Sequence, residues 1–229
     1  MVELLRNHRN LNMYSKIYSM FAFFGFIDLE NIRKKYLTRL KGKILDVGVG
    51  DAGNYKYYSK DAGVFVLDFE EKMLSNAKER IPKNKLKNYK FIHANAQKLS
   101  KFEDNYFDAV VVVFIYCCSV PNPLFALKEA RRVLKNNGKL IVIAHVRSKN
   151  KILYFFQYIM EPFSRWIIGS DMTRKTKEDI NEAGFKIDKE VGIIIDTAKT
   201  KEGEYLMLAS MAATIDHLIA SKGIKRELK

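Results

Sequence analysis

The hydrophobic positions of this chain fall into short continuous runs. Ile44-Leu45, Val64-Phe65-Val66-Leu67, Phe107 with Ala109 to Phe114, and Leu140 to Ala144 are apolar on consecutive positions. A strand with one wet face alternates apolar and polar residues, whereas a strand covered on both faces is apolar throughout. These runs therefore predict the central strands of a parallel sheet. Tyr89-Lys90-Phe91-Ile92-His93 reads as a further short strand. Between the strands lie segments with helix punctuation. Phe69-Glu70-Glu71-Lys72-Met73-Leu74 places acids in a first helical turn, where they favour the helix dipole. Pro121-Asn122-Pro123 opens another helix, expected to end near Leu134. Lys135-Asn136-Asn137-Gly138 is then expected to turn the chain into the next strand, since Asn tolerates left-handed backbone. Strand and helix patterns alternate, which predicts an α/β fold around one core and needs no split into two domains.

The first strand runs straight into a turn, Asp46-Val47-Gly48-Val49-Gly50-Asp51-Ala52-Gly53. Glycines let the backbone turn tightly and approach a ligand. Asp68 follows eighteen residues after Gly50, at the end of the second apolar run. A carboxylate at that place accepts hydrogen bonds from ribose hydroxyls. The pair predicts a nucleoside-containing cofactor at the carboxyl edge of the sheet. The glycine spacing formally fits the G-x-G-x-x-G dinucleotide fingerprint. Asp46 and Asp51, however, would repel a pyrophosphate and suit a ligand with a free amine.

Asp46-Val47-Gly48-Val49-Gly50 resembles motif I (D/E-x-G-x-G) of the class I S-adenosylmethionine-dependent methyltransferases. Phe107-Asp108, Glu129-Ala130-Arg131-Arg132-Val133-Leu134-Lys135 and Ala183-Gly184-Phe185 are similar to other recurrent signatures of that superfamily, over roughly residues 40–210. One departure is Asn136-Asn137-Gly138 in place of P-G-G. The resemblance implies a Rossmann-like α/β fold: a seven-stranded, mostly parallel sheet with helices on both faces and an antiparallel last strand. It implies a helical cap over residues 1–40, a catalytic domain over 41–212 with a lid insertion near 147–174, and a tail over 213–229. S-adenosyl-L-methionine would be the cofactor. Gly48, Val49 and Gly50 would approach its methionine part and ribose, with Asp46 and Asn54 beside them. Asp68 would take the ribose hydroxyls and Phe69 would lie against the adenine. Asn95, Ala96 and Gln97 would meet the adenine amine. Phe114 and Tyr116 would face the sulfonium and the acceptor.

A finer resemblance rests on Asn54-Tyr55-Lys56-Tyr57-Tyr58, Cys118-Ser119-Val120-Pro121, His145-Val146, Gln157 with Pro162, and Gly169 with Thr173-Arg174. It points to the branch with methyltransferase-like thiol S-methyltransferases and lipid or quinone methyltransferases. That branch usually has E-H-V after the fifth strand; Ala144 replaces the Glu. His145 is the candidate for assisting proton removal, because imidazole titrates in the right range, with Tyr116 as the second candidate catalytic residue. Tyr14 and Tyr18 in the N-terminal segment, and Tyr154, Phe155, Tyr158 and Trp166 in the insertion, would line an acceptor pocket. Aromatic lining suits a small apolar or amphiphilic acceptor: a thiol, a quinone or a phospholipid headgroup.

Composition narrows the partners. The chain has 229 residues, 48% of them hydrophobic, enough for a full core. Its two cysteines, Cys117 and Cys118, are adjacent, so no disulfide framework is expected and a reducing, cytoplasmic setting is. No His or Cys cluster with ligand spacing accompanies them, and no metal is expected. No apolar run is long enough to span a bilayer. The formal net charge of +14 attracts polyanions. A peripheral contact with anionic membrane is one expectation and RNA another, although no RNA-binding module is visible. Phe114-Ile115-Tyr116-Cys117 stands where methyltransferases of RNA base amines carry N/D-P-P-F/Y. A non-catalytic homologue that keeps only the cofactor pocket is the remaining alternative.

Overall fold

The computed structural model describes residues 29–50, 52–113, 120–145, 154–155, 158–159, 161–162, 174–193 and 215–221. The apolar runs become strands at the expected places. They are β1 Lys43–Val47, β2 Gly63–Asp68, β3 Tyr89–His93, β4 Phe107–Val113 and β5 Leu134–His145. All five are parallel, in the order β3-β2-β1-β4-β5. Asp46 pairs with Val66 on one side and Val111 on the other. The strand order reverses between β1 and β4. In open α/β sheets such a switch point is where the carboxyl ends diverge and leave a crevice.

Helices α1 Leu29–Leu37, α2 Glu71–Arg80, α3 Pro123–Val133 and α4 Thr176–Glu182 accompany the sheet. Asn122 caps α3, its Oδ1 accepting from the Phe125 N–H at 3.3 Å with Pro123 behind it, as the Asn-Pro signal predicts. Ala126, Leu127, Ala130 and Val133 form the buried stripe of that helix. The core is the sheet itself: Ile44, Leu45, Leu67, Val110, Val111, Val112, Leu140 and Ile143 are closed to solvent. Phe65, Phe102, Tyr106 and Phe107 add an aromatic knot. Phe107 meets Phe102 at 4.9 Å, Tyr106 at 5.0 Å and Phe65 at 5.2 Å, each edge to face.

The Lys135–Gly138 turn forms differently from the expectation. Phe107 pairs with Leu134 and Ala109 with Lys139. Two steps on β4 thus match five on β5, and the surplus residues bulge out within the strand. Asn105, with φ 58°, and Ala52, with φ 57°, are the left-handed non-glycine residues among those described; Asn136 and Asn137 are neither. A bulge absorbs extra residues without positive φ, so the left-handed capacity of Asn is not used there.

Candidate functional site

The glycine turn leaves β1 at the switch point. Gly48 and Gly50 have φ of 75° and 50°, a region costly to a side chain. Gly48 N–H donates to the Leu67 carbonyl at 2.7 Å, stitching the turn to the end of β2. Asp68 then holds it from the side. Its Oδ2 accepts from Val49 N–H at 3.0 Å, and its Oδ1 from Glu70 N–H at 2.9 Å. Burial raises the Asp68 carboxyl above its ordinary pKa, against these hydrogen bonds, which lower it. The third special position is Ala52, not Gly53. Ala52 is buried, has φ 57° and ψ 16°, and leads into the 3₁₀ turn Gly53–Lys56. Glycine spacing alone could not find it, because alanine carries no turn signal.

Beside the turn a small cluster of polar side chains is buried in the core. Asp46 is 4% exposed, and the Asn54 amide donates to its two oxygens at 3.1 and 3.2 Å. Burial and the Asp46 charge raise the Tyr58 hydroxyl well above its usual pKa. The same two causes raise Tyr89, which pairs with Val64 at the start of β3 and whose hydroxyl donates to the Tyr55 carbonyl at 3.4 Å. Sequence reasoning did not assign Tyr58 or Tyr89 to the site. The only available signal was the Asn54-x-x-x-Tyr58 spacing just after the turn.

On the other side, β2 and β3 end together, Asp68 pairing with His93. Phe69 is 57% exposed, an unusual state for a phenyl ring. Its carbonyl lies 2.8 Å from His93 Nε2, and the two rings sit 6.4 Å apart. Asn95 closes a local turn, its Oδ1 accepting from Gln97 N–H at 2.9 Å. Gln97 Oε1 accepts from Asn122 N–H at 3.0 Å, joining this loop to the start of α3. Arg174 donates to the Val120 carbonyl at 2.9 Å, so the chain before α4 grips the loop before α3. Asp46, Gly48, Val49, Gly50, Asn54, Asp68, Phe69, Asn95, Ala96 and Gln97 therefore lie at or just beyond the carboxyl ends of the first three strands, and hydrogen bonds join Asp46 to Asn54, Val49 to Asp68 and Asn95 to Gln97. Tyr154, Phe155 and Tyr158 are described, with the Tyr154 and Tyr158 rings 6.5 Å apart. His145 ends β5, but its side chain lies outside the described residues, as do Phe114, Tyr116, Cys117, Cys118, Tyr14, Tyr18 and Trp166.

The donor set fits one cofactor better than others. A half-buried carboxylate at the end of β2 suits a diol, and the exposed Phe69 ring suits a flat base. A buried carboxylate with an unsatisfied amide oxygen beside it suits an ammonium and opposes a pyrophosphate. Among the described residues no group of His, Cys, Asp or Glu could hold a metal ion.

Comparison with known proteins agrees with this chemistry. Residues 45–142 match the family described as Methyltransferase domain. The chain is 35% identical over 132 residues to a demethylmenaquinone methyltransferase of Bacillus cereus (strain ATCC 10987 / NRS 248), covering 54% of this chain and 55% of the relative. A demethylmenaquinone methyltransferase of Bacillus mycoides (strain KBAB4) is 35% identical over 111 residues, 46% of each chain. The chain thus spans about half the length of these curated relatives. Among solved structures, a SAM-dependent methyltransferase from Aquifex aeolicus superposes with a TM-score of 0.61 at 19% identity, covering 92% of this chain and 98% of that one. The [4+2]-cyclase SpnF superposes at 0.66 with 19% identity, over 86% and 80%. Fold and family match agree: residues 45–142 resemble the Methyltransferase domain family, and the chain has the Rossmann-like α/β fold of the solved SAM-dependent methyltransferase.

Proposed function

We propose that the protein transfers the methyl group of S-adenosylmethionine to a small apolar or amphiphilic acceptor, in the first instance a demethylated quinone in its reduced, quinol form. The observation that carries the reading is the buried Asp46 and the tethered Asp68 flanking one glycine turn. The quinone comes from the curated relatives, which are demethylmenaquinone methyltransferases. The cofactor supplies a sulfonium methyl that is already activated. Asp68 holds the ribose, Phe69 lies against the adenine, and Asn95, Ala96 and Gln97 close around the base. Gly48, Val49 and Gly50 bring backbone to the methionine end, beside Asp46 and Asn54. Phe114 and Tyr116 face the acceptor, and His145 receives the proton it gives up. The protein's main work is alignment and exclusion of water, which contributes about 7–11 kcal/mol in well-oriented reactions.

The same reading completes the architecture. Two further strands, β6 Lys186–Ile193 and β7 Ile215–Ser221, extend the sheet to seven with an antiparallel end. Pairing of Leu140 with Ala220, and of Ile187 with Ala220, supports this. Residues 1–40 form a cap carrying Tyr14 and Tyr18, and residues 147–174 a lid carrying Tyr154, Phe155, Tyr158 and Trp166. Phe155, Tyr158 and Ile159 are exposed, which supports contact with an apolar acceptor or with the membrane that holds it. No helix among the described residues is long and apolar enough to cross a membrane.

Two measurements test the proposal. Calorimetry should show micromolar binding of S-adenosylhomocysteine and none of NAD. Release of S-adenosylhomocysteine should then be followed with a demethylated naphthoquinol, a thiol, a phospholipid and RNA as acceptors. The naphthoquinol should give the fastest release. Turnover on RNA alone would replace this reading with a nucleic-acid methyltransferase.

A further inference from the structure

Asn137-Gly138 is the only Asn-Gly pair in the chain. It stands in the bulge of β5, where Lys135, Asn136, Asn137 and Gly138 have no register partner on β4 or on β7. Asn136 and Asn137 are exposed, whereas Gly138 is buried. No described residue holds the Asn137 side chain by a hydrogen bond. An asparagine amide carbon is open to attack by the next residue's backbone nitrogen, above all when that residue is glycine and no side chain stands in the way. A regular strand suppresses the attack, because ladder hydrogen bonds fix the backbone on both sides. A bulge interrupts the ladder.

Packing explains why glycine stands at 138. A Cβ there would lie 2.7 Å from both Cγ and Cδ1 of Leu134 and 3.0 Å from the Lys135 carbonyl oxygen. Leu134 is closed to solvent and pairs with Phe107 at the start of β5. A bulkier residue at 138 would slow the attack on Asn137, but it would have to displace this core side chain. The same close packing that demands a glycine therefore leaves the neighbouring amide vulnerable.

We propose that Asn137 is a site of spontaneous modification in the folded protein, where its amide is converted to aspartate and isoaspartate. The Gly138 nitrogen bonds to Asn137 Cγ, and the Cγ–Nδ2 bond breaks. Ammonia leaves, carrying the proton that the Gly138 N–H gives up. Water then opens the cyclic imide at either carbonyl. Opening at Cγ restores the ordinary backbone and gives aspartate. Opening at the main-chain carbonyl routes the chain through Cβ and Cγ and gives isoaspartate, with one more backbone carbon. Aspartate adds only an exposed charge. Isoaspartate lengthens the chain beside Gly138, where Leu134 leaves no room. The inference is independent of cofactor and methyl acceptor.

The test ages the full chain at mildly alkaline pH, folded in buffer and, in parallel, unfolded in guanidinium chloride. Fragment masses follow replacement of the Asn137 amide by a carboxyl, and electron-transfer fragmentation separates isoaspartate from aspartate. Asn137 should convert before any other asparagine. Its rate in the folded protein should lie within about tenfold of the unfolded-chain rate, because opening a segment without ladder bonds costs little. Asn137→Gln should abolish the conversion, since the longer side chain closes its ring far more slowly. A folded-state rate more than about tenfold below the unfolded one would overturn the proposal, as would another asparagine converting first. Denaturant melts test the consequence. Asn137→Asp should unfold like the wild type, and the isoaspartate fraction of aged protein at lower denaturant. An isoaspartate fraction as stable as Asn137→Asp would overturn the role given to the contact between Gly138 and Leu134.

Discussion

Asp68 holds the glycine turn and, in the proposed function, the cofactor as well. Its carboxylate ties the glycine turn to β2 through Val49 N–H and Glu70 N–H. Asp68→Ala should lower S-adenosylhomocysteine affinity at least tenfold in calorimetry, since a hydrogen bond to a charged group is worth about 1.5–3 kcal/mol. The pH dependence has a definite sign. Burial raises this carboxyl, so its proton returns at a higher pH than for an exposed Asp. The charged form is the acceptor, and cofactor affinity should therefore begin to fall above the ordinary Asp range as pH drops. Asp68→Asn should flatten that fall. For the fold alone the sign is opposite: a raised carboxyl is a charge the folded state disfavours, and protonation relieves it. Ala52 offers a second prediction. A left-handed alanine costs about 1–2 kcal/mol, while glycine gives back about 0.5–1 kcal/mol through the unfolded chain. Ala52→Gly should raise thermal stability slightly, by up to about 1 kcal/mol, unless the bound cofactor needs the strain.

The loop from Leu99 to Tyr106 is irregular, yet one residue of α3 fixes it. Arg132 donates to the carbonyls of Leu99 at 3.0 Å and Phe102 at 2.9 Å, and to Asp104 at 2.8 Å. Glu129 accepts from Arg132 Nε at 2.8 Å and from Leu99 N–H at 2.7 Å. Only a planar fork reaches this many acceptors. Arg132→Lys should lower the unfolding free energy by about 2 kcal/mol in a denaturant melt. The Arg132 hydrogen bond is the leading cause that holds the Glu129 carboxyl below its usual pKa. Its stabilisation is present above the unfolded Glu value and is lost as pH falls through the folded one. Glu129→Gln should therefore cost about 1 kcal/mol near neutrality, after screening by the water that reaches it, and almost nothing in acid. The sequence carried the strands well, because a two-face-buried strand needs consecutive apolar residues. It also carried the α3 cap, because Asn-Pro is a local signal. It did not show that Lys135–Gly138 bulges, since the register comes from β4, more than twenty residues earlier. It showed Asp46, Asp68 and the turn glycines by motif, whereas Tyr58 joins them only when Asp46 and Asn54 meet in the fold.

For the molecule as a whole, charge and exposed aromatics make separable predictions. A formal charge of +14 should hold the protein on anionic vesicles at low salt and release it as salt rises. If the segment around Phe155 and Tyr158 also inserts, Phe155→Ser with Tyr158→Ser should weaken retention at every salt concentration, as measured by co-sedimentation. If those rings face only an acceptor, retention should be unchanged and only turnover on apolar acceptors should fall. The strand order has a further consequence, for the chain as it is made. β1 lies between β2 and β4, but β2 leaves the ribosome soon after it, whereas Phe107 follows Val47 by sixty residues. At about 5–20 residues per second that interval lasts about 3–12 s. Throughout it, Ile44, Leu45, Asp46 and Val47 present an unpaired strand edge at the centre of the future sheet, the kind of edge that recruits other chains. Nascent chains arrested with β4 still in the ribosomal tunnel should therefore bind chaperones that recognise apolar segments, and shed them once Val113 has cleared the exit.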